Sequence, residues 1–535
     1  MAARAERRSF WTWGYVSDEP SEAARKDAAR HLAERLGHVV EPPAVPAIEA
    51  IALRPARLDV PAALADFVAT SAEERVTHTH GGHSLELLKG LHGRFDSPPD
   101  AVAHPRTEDE LEATLAWCDR DGHVAIPYGG GTSVVWGVTV PEDAPSAVTI
   151  DLDNLNTVLE VDEVSRAARV QGGMLGPDLE AALKPLGLTL RHFPQSFPWS
   201  TVGGWVATRS GGHYATNHTH IDDFVESTRM LTPQGWIESR RLPGSGAGPS
   251  PDRLVLGSEG ILGVVTECWL RLQKRPTFRA TAGVLFASWR QGTDAVRAIA
   301  QAKLMPANLR ILDPGEAAFS AGLDGNHALL IIGFESSEIP QGDNARAAVA
   351  IARDLGGLID DDEILIDDGT GKPTGRGGAV GAWRNAFIGV NAGLTAGLGL
   401  LSDTFETAVT WDRWPDFDAE VRARVGAALR EAIGEKARLS CRFTHVYPDG
   451  PAPYYSFSGV VPRGAEEERW QAVKAAASAA VVAAGGTVTH HHAVGRMHRD
   501  GYDEQRPQLF AEMLRAAKRR VDPNGILNPG VLIDV

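Results

Sequence analysis

The sequence predicts an α+β fold, and three observations carry the prediction. From about residue 98 to 274, short strand-like runs alternate with helical segments and are interrupted by three small-residue loops. After Arg275-Pro276 the pattern restarts as a second series of strands and helices with long connections. The first ~95 residues read instead as a mostly helical extension.

In chain order, residues 20 to 36 and 61 to 75 are rich in Ala, Glu and Arg at helical spacing, with the break Glu41-Pro42-Pro43 between them. His104-Pro105-Arg106-Thr107-Glu108 opens a helix, and Val124-Ala125-Ile126-Pro127 reads as a strand entering the first loop. Ala147 to Leu152, Thr157 to Val161 and Ala167 to Val170 follow as strands, then a helix from Pro177 to Leu186 that Gly187 ends. In the second series, Ala282 to Phe286, Leu309 to Leu312, Ala328 to Ile332 and Tyr454 to Phe457 are strands, and Thr293 to Leu304 is a helix. A last helix, Phe510 to Arg520, stops at Asp522-Pro523-Asn524-Gly525 and leads the chain back to the first unit.

The first loop is Pro127-Tyr128-Gly129-Gly130-Gly131-Thr132-Ser133-Val134. The second is Pro194-Gln195-Ser196-Phe197-Pro198-Trp199-Ser200-Thr201-Val202-Gly203-Gly204-Trp205, and the third Gly257-Ser258-Glu259-Gly260-Ile261-Leu262-Gly263-Val264-Val265-Thr266. Glycine admits close backbone approach, successive N–H groups form an anion-binding nest, and Thr132 and Ser133 add hydroxyl donors. A single glycine cluster in a chain with 56 glycines is an ordinary turn. Three in this order point to one long anionic ligand.

A net charge of −16 repels nucleic acid, and Lys518-Arg519-Arg520 reads as a solvated helix face. Cys118, Cys268 and Cys441 are far apart without metal-ligand spacing, which fits a reducing compartment and no structural zinc. The aromatic run Phe10-Trp11-Thr12-Trp13-Gly14-Tyr15 is unlike an export signal. Asn385 to Ser402 is uncharged but too glycine-rich to lie in lipid. It reads either as a buried core helix or hairpin, or as a pliable wall beside an apolar substrate channel.

The three loops resemble the flavin-binding domain of the vanillyl-alcohol-oxidase and p-cresol-methylhydroxylase superfamily. A fuller resemblance, over nearly the whole chain, is to the alkyl-dihydroxyacetone-phosphate synthase family. It is carried by Phe197-Pro198-Trp199-Ser200-Thr201-Val202-Gly203-Gly204-Trp205-Val206-Ala207-Thr208-Arg209, by Asp403-Thr404-Phe405-Glu406-Thr407 with Trp411-Asp412-Arg413, and by His490-His491-His492-Ala493-Val494-Gly495. The resemblance implies a helical N-terminal extension (1–96), a two-part FAD-binding domain of vanillyl-alcohol-oxidase type (97–275), an α+β cap for substrate (276–480) and a C-terminal segment (481–535) returning to both.

For the cofactor, the resemblance implies FAD phosphates at Gly129, Gly130, Gly131, Thr132, Ser133 and Val134 beside Pro127. It puts the flavin flank at Gln195, Ser196, Ser200 and Thr201 with Gly204, and further contacts at Thr208, Arg209, Ser210 and Gly211. The adenosine side falls to Glu259, Gly260, Leu262, Gly263, Val264 and Val265. Arg209-Ser210-Gly211-Gly212-His213 resembles the histidine-linked flavin loop of berberine-bridge-type oxidases. There, however, the linking histidine sits in the first glycine loop, which has none here, so noncovalent FAD is expected.

In the synthases, acyl-dihydroxyacetone phosphate loses a proton at C1, the flavin N5 holds the carbon skeleton, the fatty acid leaves and a fatty alcohol replaces it. By resemblance Tyr454 is the proton acceptor and donor. A phenol with an unperturbed pKa of ~10 is a poor base at neutral pH, so it needs neighbours that lower that value, and the histidines are the expected ones. His490, His491 and His492 follow the strand-like Gly486-Thr487-Val488-Thr489. A strand sends His490 and His492 to one face and His491 to the other, so all three cannot converge from a regular strand. A metal pair and a polar core network are the other readings, and the family reading makes them active-site residues.

His192 matches another active-site histidine of the family; alone it reads as a satisfied surface residue. Arg310 sits where the family keeps an arginine important for activity; alone, an arginine between apolar strand residues snorkels or pairs with a carboxylate. The chain departs from the family where a substrate-binding arginine precedes the Thr-Phe-Glu-Thr motif, because no Lys or Arg lies between Arg384 and Arg413. A different head group or a displaced clamp is then expected. The alternative activity is a flavin-dependent oxidase or dehydrogenase of a hydroxy acid, alcohol or phenol. A lipid small-molecule substrate, a homodimer, a cytoplasmic location and contact with a membrane face complete the expectations.

Overall fold

The computed structural model describes residues 6–534 except 215, 217–219, 389, 390 and 392. The first cofactor-side sheet has four strands, in the order Val68–Ala69, Ala101–Ala103, Ala147–Asp151 and Val124–Tyr128. The last three are parallel, and helix Glu108–Asp121 makes the crossover. Thr107 caps that helix at its start, and Gly122, at φ 73°, ends it in the left-handed region that favours glycine. The glycine loop therefore leaves the carboxyl end of a strand whose neighbours are wholly buried, where a sheet of this type opens onto ligand.

A second sheet is antiparallel, in the order Val158–Asp162, Ala167–Gln171, Val264–Arg271, Val225–Thr232 and Gly235–Glu238. Helices Gly176–Leu183 and Val202–Thr208 pack on its apolar face through Leu179, Leu183, Val202, Trp205 and Val206. The predicted helix over 61 to 75 is not there. Val68–Ala69 is the edge strand of the first sheet, preceded by a 3-10 turn at Ala62–Leu64, and only Ala72–Thr77 is α-helical. Val68 and Leu64 bury against the sheet core, and that tertiary gain outweighs the weak helix preference of the segment.

Above these sheets lies a seven-stranded antiparallel sheet, in the order Leu365–Asp367, Phe278–Phe286, Ala328–Ser336, Asn308–Leu312, Arg438–Val446, Pro451–Val460 and Leu400–Glu406. Helices Trp289–Gln301, Gly342–Asp354, Trp414–Ala432 and Glu466–Ala483 cover its outer face in one apolar core. On its other face, helices Pro314–Ala321 and Gly378–Ile388 cover Leu312, Leu329 and Ile331, and Arg310, Arg442 and Tyr454 look at the glycine loops. The segment 385 to 402 splits: part ends helix Gly378–Ile388 and part opens the edge strand Leu400–Glu406.

The C-terminal chain comes back beside the first sheet. Ala125 N–H donates to the Ile526 carbonyl at 2.9 Å, and Asn528 N–H to the Ala125 carbonyl at 3.0 Å. Lys518 is not solvated: it is buried, pairs with Asp522 and donates to the Leu527 carbonyl at 2.7 Å. Among the described residues no helix is long and apolar enough to cross a membrane.

Candidate active site

The three loops come together along one cavity between the lower sheets and the cap. Pro127, Gly129 to Val134, Gln195, Ser196, Ser200, Thr201 and Gly204 line it. So do Thr208, Ser210, Gly211, Glu259, Gly260, Gly263, Val264 and Val265, with Tyr454, Arg310, His491 and His492 from the cap side. Glycine is required where the first two loops meet: a Cβ on Gly130 would stand 1.8 Å from the Trp199 carbonyl oxygen, and one on Gly129 2.2 Å from Thr201 Oγ1. The cradle thus depends on main chain laid on main chain, which suits a dinucleotide held by amide donors. Thr201 Oγ1 accepts from Gly204 N–H at 3.3 Å and Ser200 Oγ from Trp205 Nε1 at 2.8 Å. Both hydroxyls keep a hydrogen to donate into the cavity.

Four expected residues stand outside the lining. Arg209, at φ 52°, turns away to pair with Asp222. Leu262 is buried in the core of the second sheet. His192 is buried behind the cavity, its ring edge-on to Trp205 and Phe224, with Nε2 2.8 Å from Ser210 Oγ. Burial pushes its pKa down to about 3, so it is a neutral prop for Ser210. His490 lies beside the lining residue His491, Nδ1 to Nδ1 at 3.1 Å, and its Nε2 is 2.8 Å from the Tyr447 hydroxyl.

The histidine triplet does not follow a strand: residues 490–492 form a bend wrapped around Glu406. Glu406 Oε1 accepts from the N–H groups of His490, His491 and His492 at 3.2, 2.7 and 2.6 Å and from Thr489 Oγ1 at 3.0 Å, while Oε2 meets His491 Nδ1. Burial opposes ionisation of Glu406, but His491 and His492 hold its pKa well below the usual carboxylate range. Burial pushes His490 well below its ordinary value and His492 to about 4, so neither carries charge at neutral pH.

Glu406, Tyr454 and Arg442 pair across three neighbouring strands and so share one face of the cap sheet. The Arg442 guanidinium lies 4.2 Å from the centre of the Tyr454 ring and donates to Glu316 Oε1 at 2.6 Å. Burial pushes the Tyr454 phenol up to about 12, against the opposing pull of Arg442. The expected lowering by histidines is therefore overturned: the rings around Tyr454 that could charge are mostly neutral, and the cation beside it is an arginine. Arg310 is buried, donates from Nη2 to the His213 carbonyl at 2.7 Å and from Nε to Asn308 Oδ1 at 3.0 Å, and sits over Trp383. Burial and nearby Arg442 bring its pKa down to about 9.

Sequence reasoning missed Arg442, His445 and the role of Glu406. His445 reaches the cavity because the strand Arg438–Val446 bulges at Thr444: Phe443 pairs with Pro453 but His445 with Ala452. The extra residue turns His445 to the face that Arg442 already occupies. Glu259, in the left-handed region at φ 49°, ties the third loop to the chain after the histidines, accepting from Val494 and Gly495 N–H at 2.9 and 2.7 Å. Burial pushes its carboxyl up to about 7.

Comparison with known proteins fits this architecture. The FAD binding domain family matches residues 99–239, and the family described as FAD linked oxidases, C-terminal domain, matches 275–532. The protein is an FAD-dependent enzyme, with FAD as its cofactor. Similar proteins include alkyldihydroxyacetonephosphate synthase of Dictyostelium discoideum, 35% identical over 46% of this chain and 40% of that protein. The Caenorhabditis elegans synthase is 28% identical over 87% of this chain and 81% of its own length. A solved alkyldihydroxyacetonephosphate synthase superposes with TM-score 0.77 at 23% identity, covering 98% of each chain, which shows the fold. Over most of its length, the chain is similar to alkyldihydroxyacetonephosphate synthases.

Proposed function

We propose that this enzyme exchanges the acyl group of acyl-dihydroxyacetone phosphate for a fatty alcohol, giving an ether-lipid precursor and a free fatty acid without net oxidation. The reading rests above all on the shared face of Arg442, Tyr454 and Glu406 set against the cofactor loops. Bound FAD supplies an electron-accepting ring that permits substitution at a carbon with no net redox change. The Gly129 to Val134 amides would hold the phosphates, Gln195 to Thr201 the flavin and Glu259 to Val265 the adenosine. His213 is stacked on Trp383 and does not line the cavity, which supports noncovalent attachment.

Arg310 and Arg442 bound the cap side of the cavity and hold the substrate's anionic head group. They take the place of the family arginine missing between Arg384 and Arg413. Segment 393–399 does not line the cavity; Gly393 packs on Thr12 and Trp11, and Gly397 on Pro43. Residues 389, 390 and 392 of the expected channel wall lie outside the described residues. Tyr454 moves the C1 proton, and because its phenol is neutral, the proton it displaces passes to His491, which Glu406 orients and whose imidazolium it stabilises. His490, His492 and His192 position these groups.

The test is incubation of the FAD-replete protein with acyl-dihydroxyacetone phosphate and labelled fatty alcohol, followed by lipid analysis. Labelled ether product is expected, and its absence with FAD retained discards the exchange. The second reading, a flavin oxidase or dehydrogenase, is favoured by the match to the C-terminal domain of FAD linked oxidases. It requires flavin bleaching by a hydroxy acid, alcohol or phenol in proportion to product, whereas the exchange leaves the flavin oxidised after each turnover.

A further inference from the structure

The N-terminal segment is tied to the cofactor cradle more closely than a peripheral extension requires. Residues 7–16 turn back on themselves, with Ser9 N–H donating to the Gly14 carbonyl and Val16 N–H to the Arg7 carbonyl, each at 3.0 Å. Arg8 runs from this turn into the first loop: its Nη2 donates to the Gly129 carbonyl at 2.9 Å and to the buried Asp151 carboxylate at 3.0 Å. Burial works against the charge, but Asp151 together with Tyr128, Tyr15 and Asp153 raises the Arg8 pKa, so the guanidinium stays charged there. Trp13 donates from Nε1 to the Gly82 carbonyl at 2.7 Å, and Gly82 N–H donates to the Ser133 carbonyl at 2.6 Å. The Trp13 indole also borders the cavity of the three loops.

The same turn holds the second loop and the cap. Trp199 Nε1 donates to Asp18 Oδ2 at 2.9 Å, and the Trp13 and Trp199 rings meet edge to face at 5.8 Å. Gly14, at φ 86°, lets the turn pass so close to Trp199 that a Cβ there would stand 2.3 Å from its Nε1. On the cap side, Gly393 N–H donates to Thr12 Oγ1 at 3.1 Å. Phe10 and Trp11 are buried, so the turn is packed in place.

We propose that residues 8–18 form a fourth element of the FAD site, a strap in which Arg8 fixes the Gly129 peptide and Trp13 closes the cavity beside the glycine loop. Three loops held only by each other would spread as a charged pyrophosphate arrives or leaves. A strap bonded to the first two loops, and to the cap, opposes that spreading and slows cofactor release. The inference rests on FAD binding and not on which reaction the enzyme runs.

The test reads FAD retention. Trp13→Ala and a variant lacking residues 1–19 are titrated with FAD by flavin fluorescence, and amide hydrogen exchange of residues 8–18 is followed in the wild-type protein with and without FAD. Trp13→Ala is expected to raise the FAD dissociation constant by about tenfold, the size of one lost aromatic contact, and the truncation by more. FAD is expected to slow exchange across 8–18. Wild-type FAD affinity in Trp13→Ala, together with exchange that FAD leaves unchanged, overturns the proposal. If the truncated chain fails to fold, those two measurements decide alone.

Discussion

Tyr454 and Arg442 lie together on the cap sheet, and in the proposed reaction each would set a different kinetic parameter. Tyr454→Phe removes the proton carrier but leaves the ring over which the guanidinium lies. It is expected to lower kcat by about 10²- to 10⁴-fold with FAD affinity unchanged. Arg442→Gln removes a cation from the cavity wall and is expected to raise KM for an anionic substrate by about 10- to 100-fold, the loss of one charge-assisted hydrogen bond. A steady-state comparison of the two variants separates these roles. Glu259 sets a pH dependence of stability. Burial pushes its carboxyl up to about 7 in the folded chain from its ordinary value of 4.5 when unfolded. Between those values the folded state keeps a proton that the unfolded state has released, so Glu259 costs stability as pH rises from 4.5 to 7. In apo-protein melting curves, Glu259→Gln should flatten the fall over that window, and a slope identical to wild type would refute the assignment.

Among the structural elements, the junction of the first two loops tolerates little change. Gly130→Ala drives a methyl group into the Trp199 carbonyl, and neither backbone can yield without separating the loops. Purified Gly130→Ala protein should carry less than about a tenth of the wild-type flavin, since lost amide donors outweigh any small gain in chain stiffness. Flavin absorbance per polypeptide measures this directly. The bulge at Thr444 is the corresponding device on the cap: without the extra residue, His445 would point to the apolar face with Phe443 and Cys441. The bend at 490–492 is a third, held by a carboxylate from a strand some 80 residues earlier. Neither feature is written in the local pattern, since a strand reading of Gly486 to His492 is locally reasonable and fails only because Glu406 offers the N–H groups a better acceptor.

The whole chain is closed by its ends. The N-terminal turn clasps the cofactor loops, and the C-terminal segment adds Leu527 beside Ala125 on the first sheet. That return is locked by Lys518 and Asp522, both buried, with Asp522 also accepting from Ile526 and Leu527 N–H at 3.1 and 2.8 Å. Lys518→Met leaves a buried carboxylate without its cation and is expected to cost about 3–5 kcal/mol, read as a lowered Tm and loosened FAD. A surface role for Lys518, as its basic neighbours in sequence imply, would predict no change.

The loops, the strands that deliver them and a long anionic ligand were legible in the residues, while FAD itself was legible through family resemblance. Close main-chain approach to a dinucleotide demands glycine at particular places, and those glycines stand in order along the chain. Tyr454 and the histidine triplet were legible only through family resemblance, because a lone phenol or imidazole carries no local signature of its task. What tertiary structure alone decided is how these groups are charged and aimed. Arg442 stands beside Tyr454 through strand register, His445 enters through a bulge, and Glu406 gathers three backbone amides from a distant segment. Each depends on which strands become neighbours and on how deeply the site is buried. Those are properties of the packed chain, since the field at a side chain is set by whatever the fold brings within a few ångströms of it.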